Sequence, residues 1–351
     1  MAKAWGQVMA RSVTETHFPF QPATGLGNAH VQSLIASSSL RRRKVVRWSE
    51  QVRAVEQDLI LDAGENIRLH GLYSKQPDSV PQDEKRGLAV LFHGWEGGAD
   101  SNYILSNSAR LYRLGFDIFR LNFRDHGNTH HLNPGIFHSC LLDEVVLALA
   151  DLQRRLDPPQ WSLSGYSLGG NFALRVGLRA PAAGLRLKQI VSVCPVINPE
   201  HAMQAMENVQ FYERYFERKW GRSLKIKMEM YSELYGDDKF LEIKSVRART
   251  EYMATRYAGF DGADSYFDGY SVDDDRLAPL TIPSTILTAA DDPVCPVGDF
   301  YRLPENPLID VRITPKGGHC GFLKNYRLES LAEDLVADTL VKWSENRDRH
   351  L

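Results

Sequence analysis

Gly165-Tyr166-Ser167-Leu168-Gly169 stands between an apolar run, Trp161-Ser162-Leu163-Ser164, and an Ala/Leu-rich run from Leu168 to Ala180. The first run reads as a short buried strand. The second reads as a helix carrying Phe172, Leu174, Val176 and Leu178. A Gly-x-Ser-x-Gly pentapeptide at a strand-to-helix junction makes a turn so tight that its serine is held in strained backbone geometry. Glycine flanks the serine because a Cβ there would strike the neighbouring strand and helix. The hydroxyl is then presented above the sheet, with its oxygen near the N-terminus of the following helix. By itself the pentapeptide fits an ordinary glycine-rich turn equally well, so the flanking context carries the reading.

A nucleophilic serine needs a base, and the base needs an orienting acid. After a strand–elbow–helix serine the acid follows in sequence, then the histidine. Both are present, each at the end of a strand-like run. Pro283-Ser284-Thr285-Ile286-Leu287-Thr288 opens into Ala289-Ala290-Asp291-Asp292-Pro293, and Ile309-Asp310-Val311-Arg312-Ile313 opens into Pro315-Lys316-Gly317-Gly318-His319-Cys320-Gly321-Phe322. Loops at the same edge of one sheet can converge on the serine, so Ser167, Asp292 and His319 form the candidate triad. Asp292 is preferred to Asp291 because Asp292 to Pro296 has Asp-x-x-x-Pro spacing. Asp291 is expected on the other side of the chain, capping the turn.

Acyl transfer also requires two hydrogen-bond donors aimed at the developing oxyanion. The backbone N–H of Leu168 is one candidate. The other is the N–H of Trp95, in the loop His93-Gly94-Trp95-Glu96-Gly97-Gly98 that follows the apolar run Leu88 to Phe92. Trp95 is expected to shape the acyl pocket as well, and His93 to brace the loop. His126, His130, His131 and His138 are irregularly spaced and begin in a loop, so no metal site is read from them. His138 and Asp143 make a His-x4-Asp pattern at a helix start, where capping by Ser139 or Asp143 is the expected role.

Outward from these motifs, the chain of 351 residues is the size of one α/β domain carrying an insertion. Residues 1–50 read as an N-terminal extension with short helical pieces. Residues 51–195 and 280–351 form the core, beginning with a hairpin over 55–73 that turns at Asp62-Ala63-Gly64-Glu65-Asn66. Strand-like and helix-like runs then alternate, which implies right-handed crossovers and a mostly parallel sheet covered on both faces. The alternation breaks over residues 196–279, a stretch rich in aromatics, methionine and charge that reads as a helical cap. Surface helices packed by their aromatics are the plainer alternative.

Forty-two basic against 44 acidic residues leave a net charge of −2, which excludes a nucleic-acid-binding balance. The run Arg41-Arg42-Arg43-Lys44 is read as a solvated patch, with peripheral contact to anionic lipid as the lesser reading. Four scattered cysteines, Cys140, Cys194, Cys295 and Cys320, lack CxxC spacing and fit free thiols in a reducing compartment. Oxidation of Cys320 or Cys295, so close to the base and acid, is expected to inhibit. Residues 1–20 contain no apolar signal-peptide core, and no run is long enough to span a bilayer, so a soluble, cytoplasmic chain is expected.

Taken together, the motifs resemble the YheT-like branch of the α/β-hydrolase superfamily, which takes in plant embryogenesis-associated esterases and mammalian abhydrolase-domain lipid hydrolases. The resemblance covers nearly the whole chain. It rests on Asn28-Ala29-His30-Val31-Gln32-Ser33, Phe92-His93-Gly94-Trp95-Glu96-Gly97, Asn122-Phe123-Arg124-Asp125-His126-Gly127, Gly165 to Asn171, Asp264-Ser265-Tyr266-Phe267, Ala290-Asp291-Asp292-Pro293 and Gly317 to Phe322. It implies an α/β-hydrolase fold with a mostly parallel eight-stranded sheet and a helical cap. It also implies a serine carboxylic-ester hydrolase acting on small-molecule acyl esters, short- to medium-chain or lipid, without a cofactor. An alcohol acyltransferase using the same triad, or a non-catalytic ligand-binding version of the fold, are the alternatives. Trp95 departs from the family, standing where a smaller aliphatic residue is usual.

Overall fold

The computed structural model describes residues 15–345. Residues 1–14 of the N-terminal extension, which include most of the stretch read as lacking a signal peptide, lie outside the described residues, as do 346–351.

Among the described residues nine strands form one sheet: β1 (Glu15–His17), β2 (Glu56–Asp62), β3 (Arg68–Ser74), β4 (Leu88–Phe92), β5 (Asp117–Asn122), β6 (Trp161–Tyr166), β7 (Leu187–Val193), β8 (Ser284–Ala289) and β9 (Ile309–Thr314). Their spatial order is β1-β9-β8-β7-β6-β4-β5-β3-β2. The eight strands expected from the sequence all form. The three-residue β1, too short to leave a periodic signal, adds a parallel edge beside β9. All pairings are parallel except β2 with β3 and β3 with β5.

The central strands β4 and β6 are buried at every position, as strands covered on both faces must be. Leu88, Val90, Phe92 and Leu163 pack with Phe172 and Val176 of the helix Leu168–Arg179 and with Leu149 of the helix Leu142–Leu156 on one face. Ala89, Leu91 and Val191 pack against Ile104 and Leu111 of the helix Asn102–Arg113 and Val336 and Leu340 of the helix Leu331–Glu345 on the other. The chain passes from β4 to β5 on one side, then returns to place β6 on the other side of β4. Such a reversal opens a crevice at the carboxyl ends of β4 and β6, where a doubly wound sheet binds its ligands.

Between β7 and β8 the chain is helical, in the segments Pro199–Glu207, Gln210–Met230, Ser232–Tyr235, Val246–Arg256 and Ala263–Asp268. Trp220 and Met253 from these helices, with Phe240 of the short helical turn Lys239–Glu242, join the larger core cluster, so the insertion shares the sheet's core rather than standing apart. A buried ion pair pins it. Lys227 Nζ donates to Asp125 Oδ1 in the loop after β5 at 2.7 Å, and also to the carbonyls of His130 and Asn133. No described helix is long and apolar enough to cross a membrane.

Candidate active site

The strand β6 runs into the helix Leu168–Arg179 through Ser167 alone, whose φ of 55° and ψ of −121° lie outside the regions an L-residue ordinarily occupies. The glycines at either side permit this. A Cβ on Gly165 would sit 2.1 Å from the Gly169 carbonyl oxygen, and one on Gly169 would sit 2.3 Å from the His93 oxygen. The Ser167 N–H is held by the Val193 carbonyl of the neighbouring strand at 2.9 Å. A strained serine costs about 1–3 kcal/mol and persists only where surrounding contacts over-determine it.

Three chain segments separated in sequence meet at this serine. His319 Nε2 lies 2.8 Å from Ser167 Oγ, and His319 Nδ1 lies 2.9 Å from Asp292 Oδ2 and 3.1 Å from Oδ1. A carboxylate can only accept, so Nδ1 donates, and in the neutral imidazole Nε2 is left to accept from the serine hydroxyl. The Asp292 Oδ1 also accepts the N–H groups of Val294 at 2.8 Å and Cys295 at 2.9 Å. Burial lowers the pKa of His319, but Asp292, together with Cys320 and Cys295, outweighs it and raises that pKa well above the usual histidine range.

Asp291 does not cap its own turn. Its Oδ1 accepts the N–H of Gly318 at 2.9 Å, tying the acid loop to the histidine loop. The N-terminal helix Ala29–Ala36 supports the same loop. Asn28 caps it by accepting from the N–H groups of His30 and Val31, Ser33 Oγ accepts the His319 N–H at 2.8 Å, and Gln32 bonds both ways with the backbone of Leu323. A Cβ on Gly318 would meet the Ala29 carbonyl oxygen at 2.3 Å, so the contact is backbone against backbone. What reads in sequence as an extension is a buttress of the His319 loop, and the Asn28–Ser33 motif is its sequence signal.

On the opposite side the loop after β4 folds back towards the serine. A Cβ on Gly94 would lie 3.2 Å from Ser167 Cβ. His93 is fully buried and braces this loop: its Nε2 accepts the Phe123 N–H at 3.2 Å, and its Nδ1 donates to the Gly94 carbonyl at 2.8 Å. Burial drives its pKa down to about 4, so it stays neutral. His126 acts likewise, accepting the Glu96 N–H at 3.1 Å and donating to the Arg124 carbonyl at 2.7 Å. Among the described residues the N–H groups of Trp95 and Leu168 have no hydrogen-bond partner, and both residues line the cavity that contains Ser167 and His319.

That cavity holds about 510 Å³. Its walls are largely apolar, with Trp95 and Leu168 near the serine and Met203, Phe216, Met253 and Tyr270 contributed by the helical insertion and the chain just beyond it. Trp95 stacks on Phe216 at 5.1 Å between ring centroids and meets Trp220 edge-on at 5.3 Å. Its indole is therefore clasped by the long helix Gln210–Met230.

The four histidines of the 126–138 stretch do not gather. His130 bonds Ser223, and His138 packs edge-on against Phe260 and Tyr266. The capping expected of Ser139 or Asp143 is absent: the helix Leu142–Leu156 has no side-chain cap, and Asp143 pairs with Arg179 at 2.9 Å. Their order at a helix start mimicked a cap, but tertiary partners claim both residues, since the Ser139 N–H bonds the Tyr266 hydroxyl and its carbonyl accepts from Arg175. Cys320 and Cys295 stand beside His319 and Asp292 as expected, but sequence reading missed that Cys194, far away in the chain, joins them.

Comparison with known proteins agrees with this architecture. A family model described as alpha/beta hydrolase fold matches residues 89–326. The putative esterase YheT of Escherichia coli is 25% identical over 337 residues, covering 93% of this chain and 94% of that protein. The embryogenesis-associated protein EMB8 of Picea glauca is 22% identical, over 88% of this chain and 67% of its own. The monoacylglycerol lipase of Saccharomyces cerevisiae is 20% identical, over 85% and 68%. Among solved structures, an esterase of Pyrococcus furiosus superposes with a TM-score of 0.53 at 14% identity, covering 82% of this chain and 91% of that one, which is a likeness of fold.

Proposed function

The chain belongs to the alpha/beta hydrolase fold family, and on that premise we propose that it is a serine carboxylic-ester hydrolase with Ser167 as nucleophile, His319 as base and Asp292 as orienting acid. The observation that carries the reading is the unbroken relay from Ser167 Oγ through His319 to Asp292, in which every hydrogen bond is 3.1 Å or shorter. Its relatives named as esterases and as a monoacylglycerol lipase support the same class of reaction.

The Ser167 hydroxyl gives its proton to His319 Nε2 as Oγ attacks the ester carbonyl carbon. The N–H groups of Trp95 and Leu168 stabilise the oxyanion of the tetrahedral intermediate. The intermediate collapses, His319 returns the proton to the departing alkoxide, and the alcohol leaves an acyl-enzyme. Water repeats the cycle with His319 as base, releasing the carboxylic acid and the free serine. Asp292 keeps the imidazole in the required tautomer and stabilises its cation throughout. The helices between β7 and β8 act as a cap whose methionine and aromatic side chains hold the acyl chain, so acyl esters with an extended apolar tail are the substrate class that suits the cavity.

Ser167→Ala is the test. Hydrolysis of short p-nitrophenyl esters and labelling by a fluorophosphonate probe should both vanish, while the far-ultraviolet circular dichroism stays that of the native chain. A variant that still hydrolyses these esters, or a native protein that takes no label at Ser167, removes the assignment.

A further inference from the structure

Cys194 ends the run begun by β7, directly after Val193, whose carbonyl anchors the Ser167 N–H. Cys320 directly follows His319. The Cys320 N–H points at Cys194 Sγ at 3.4 Å, and the reactive atoms of Cys194, His319 and Cys320 all lie within 4.8 Å of one another. Cys320 lines the substrate cavity, whereas Cys194 is wholly buried behind it. We propose that Cys194 and Cys320 form a dithiol that a hydroperoxide entering through the cavity converts to a disulfide, displacing His319 and switching off the site.

The two sulfurs are unequal in the way such a pair requires, with an attacking thiolate in reach of the oxidant beside a resolving thiol. Burial alone would raise the pKa of Cys320, but the hydrogen bond donated by the Cys194 thiol and the charge on His319 outweigh it and favour the thiolate. Burial pushes Cys194 well above the ordinary thiol range, so it keeps its proton. The Cys320 thiolate attacks one peroxide oxygen, the O–O bond breaks, and hydroxide (alkoxide from an organic peroxide) leaves with Cys320 as sulfenic acid. That base takes the Cys194 proton. The Cys194 thiolate attacks the Cys320 sulfur and expels hydroxide, which takes up the proton that the Cys320 thiol released on ionising and becomes water. In sum two thiols and one hydroperoxide give one disulfide, one water and one water or alcohol.

The cost to the site follows from the backbone. Cys194 and Cys320 have φ values of 45° and 57°, both in the left-handed region, so neither has slack to absorb a new constraint. An S–S bond of about 2 Å must draw the two loops together, and His319 is covalently next to the residue that moves. A displacement of about 1 Å at a reacting contact is enough to cost two orders of magnitude in rate. Cys295, the third thiol nearby, is held up to about 12 by burial, so it stays protonated and serves as the control.

The experiment exposes the whole chain to hydrogen peroxide, then quenches it and reads both intact mass and ester hydrolysis. The expected result is a mass lower by two hydrogens, a Cys194–Cys320 cross-linked peptide after digestion, loss of activity, and recovery of both on adding dithiothreitol. Cys295→Ala should still form the Cys194–Cys320 cross-link under peroxide. Cys194→Ala removes both the resolving thiol and the hydrogen bond that favours the Cys320 thiolate, so no cross-link should form and Cys320 should oxidise more slowly, to a sulfinic acid that dithiothreitol does not reverse. Only the activity arm rests on the proposed function. The cross-link should also form in Ser167→Ala, so failure of the esterase reading and failure of the dithiol are separable. Native protein that keeps both thiols under peroxide, or a cross-linked protein with undiminished turnover, overturns the proposal.

Discussion

Replacing the acid of the relay by its amide separates the two adjacent aspartates and tests the geometry at one atom. In Asp292→Asn the side-chain oxygen has a fixed place, because the N–H groups of Val294 and Cys295 converge on Oδ1 at 2.8 and 2.9 Å and need an acceptor there. The new NH2 group is then forced onto the position of Oδ2, 2.9 Å from His319 Nδ1. Two donors cannot share that contact, so Nδ1 becomes the acceptor and Nε2 carries the proton. A protonated Nε2 cannot take the Ser167 hydrogen, and the fold itself loses little because every other bond survives. The equivalent change in a serine protease triad costs about 10⁴ in kcat, or roughly 5 kcal/mol of transition-state stabilisation. Asp291→Asn keeps its oxygen available to the Gly318 N–H, so only one hydrogen bond is weakened and the loss should stay within about tenfold. The assay is kcat for a short p-nitrophenyl ester in both variants, with thermal melting as the control for folding. Asp292→Asn retaining a tenth or more of native turnover, or Asp291→Asn falling as far as Asp292→Asn, would refute the reasoning.

Two further perturbations follow from the buried charges. Because Asp292 raises the pKa of His319, the neutral base is populated only as pH climbs through that raised value, so kcat/KM should increase through the alkaline range with no plateau near 6.5, and Asp292→Asn should move the midpoint down; a native profile already flat above pH 6.5 counts against it. The same shift makes His319 stabilise the fold fully below its unfolded pKa of about 6.5, a contribution lost as pH rises through the folded value, so the melting temperature of Ser167→Ala should fall over the pH range in which activity rises. Lys227→Met leaves Asp125 buried without its cation, retaining the Phe137 N–H at 2.9 Å, and should cost about 3–5 kcal/mol in urea denaturation; an unchanged midpoint would show that the ion pair does not pin the helical insertion.

The amino-acid sequence was most legible where local physics decides structure. The hairpin over 56–74, the continuously apolar β4, the short run of β6 and the elbow at Ser167 announce themselves through alternation, apolar runs or glycine spacing. Ser167, Asp292 and His319 were readable for a related reason: each sits just past a strand, and the carboxyl ends of parallel strands share one edge. Trp95 and Leu168 followed from the loops those strands lead into.

Where partners come from afar, sequence reading failed. The role of Asp291 depends on a backbone N–H in another loop, and the capping expected of Ser139 and Asp143 gave way to contacts with Tyr266, Arg175 and Arg179. Ser33 reaches His319 across 286 positions, and Cys194 reaches Cys320 across 126, neither interval carrying any periodicity to betray it. Periodicity, glycine and turn chemistry are properties of neighbouring residues, so the sequence by itself determined the strands, the elbow and which three side chains stand at the strand ends around Ser167. Whether His319 is buttressed from the N-terminal helix, and that Cys194 stands beside it, was decided only when the sheet closed and set those distant segments side by side.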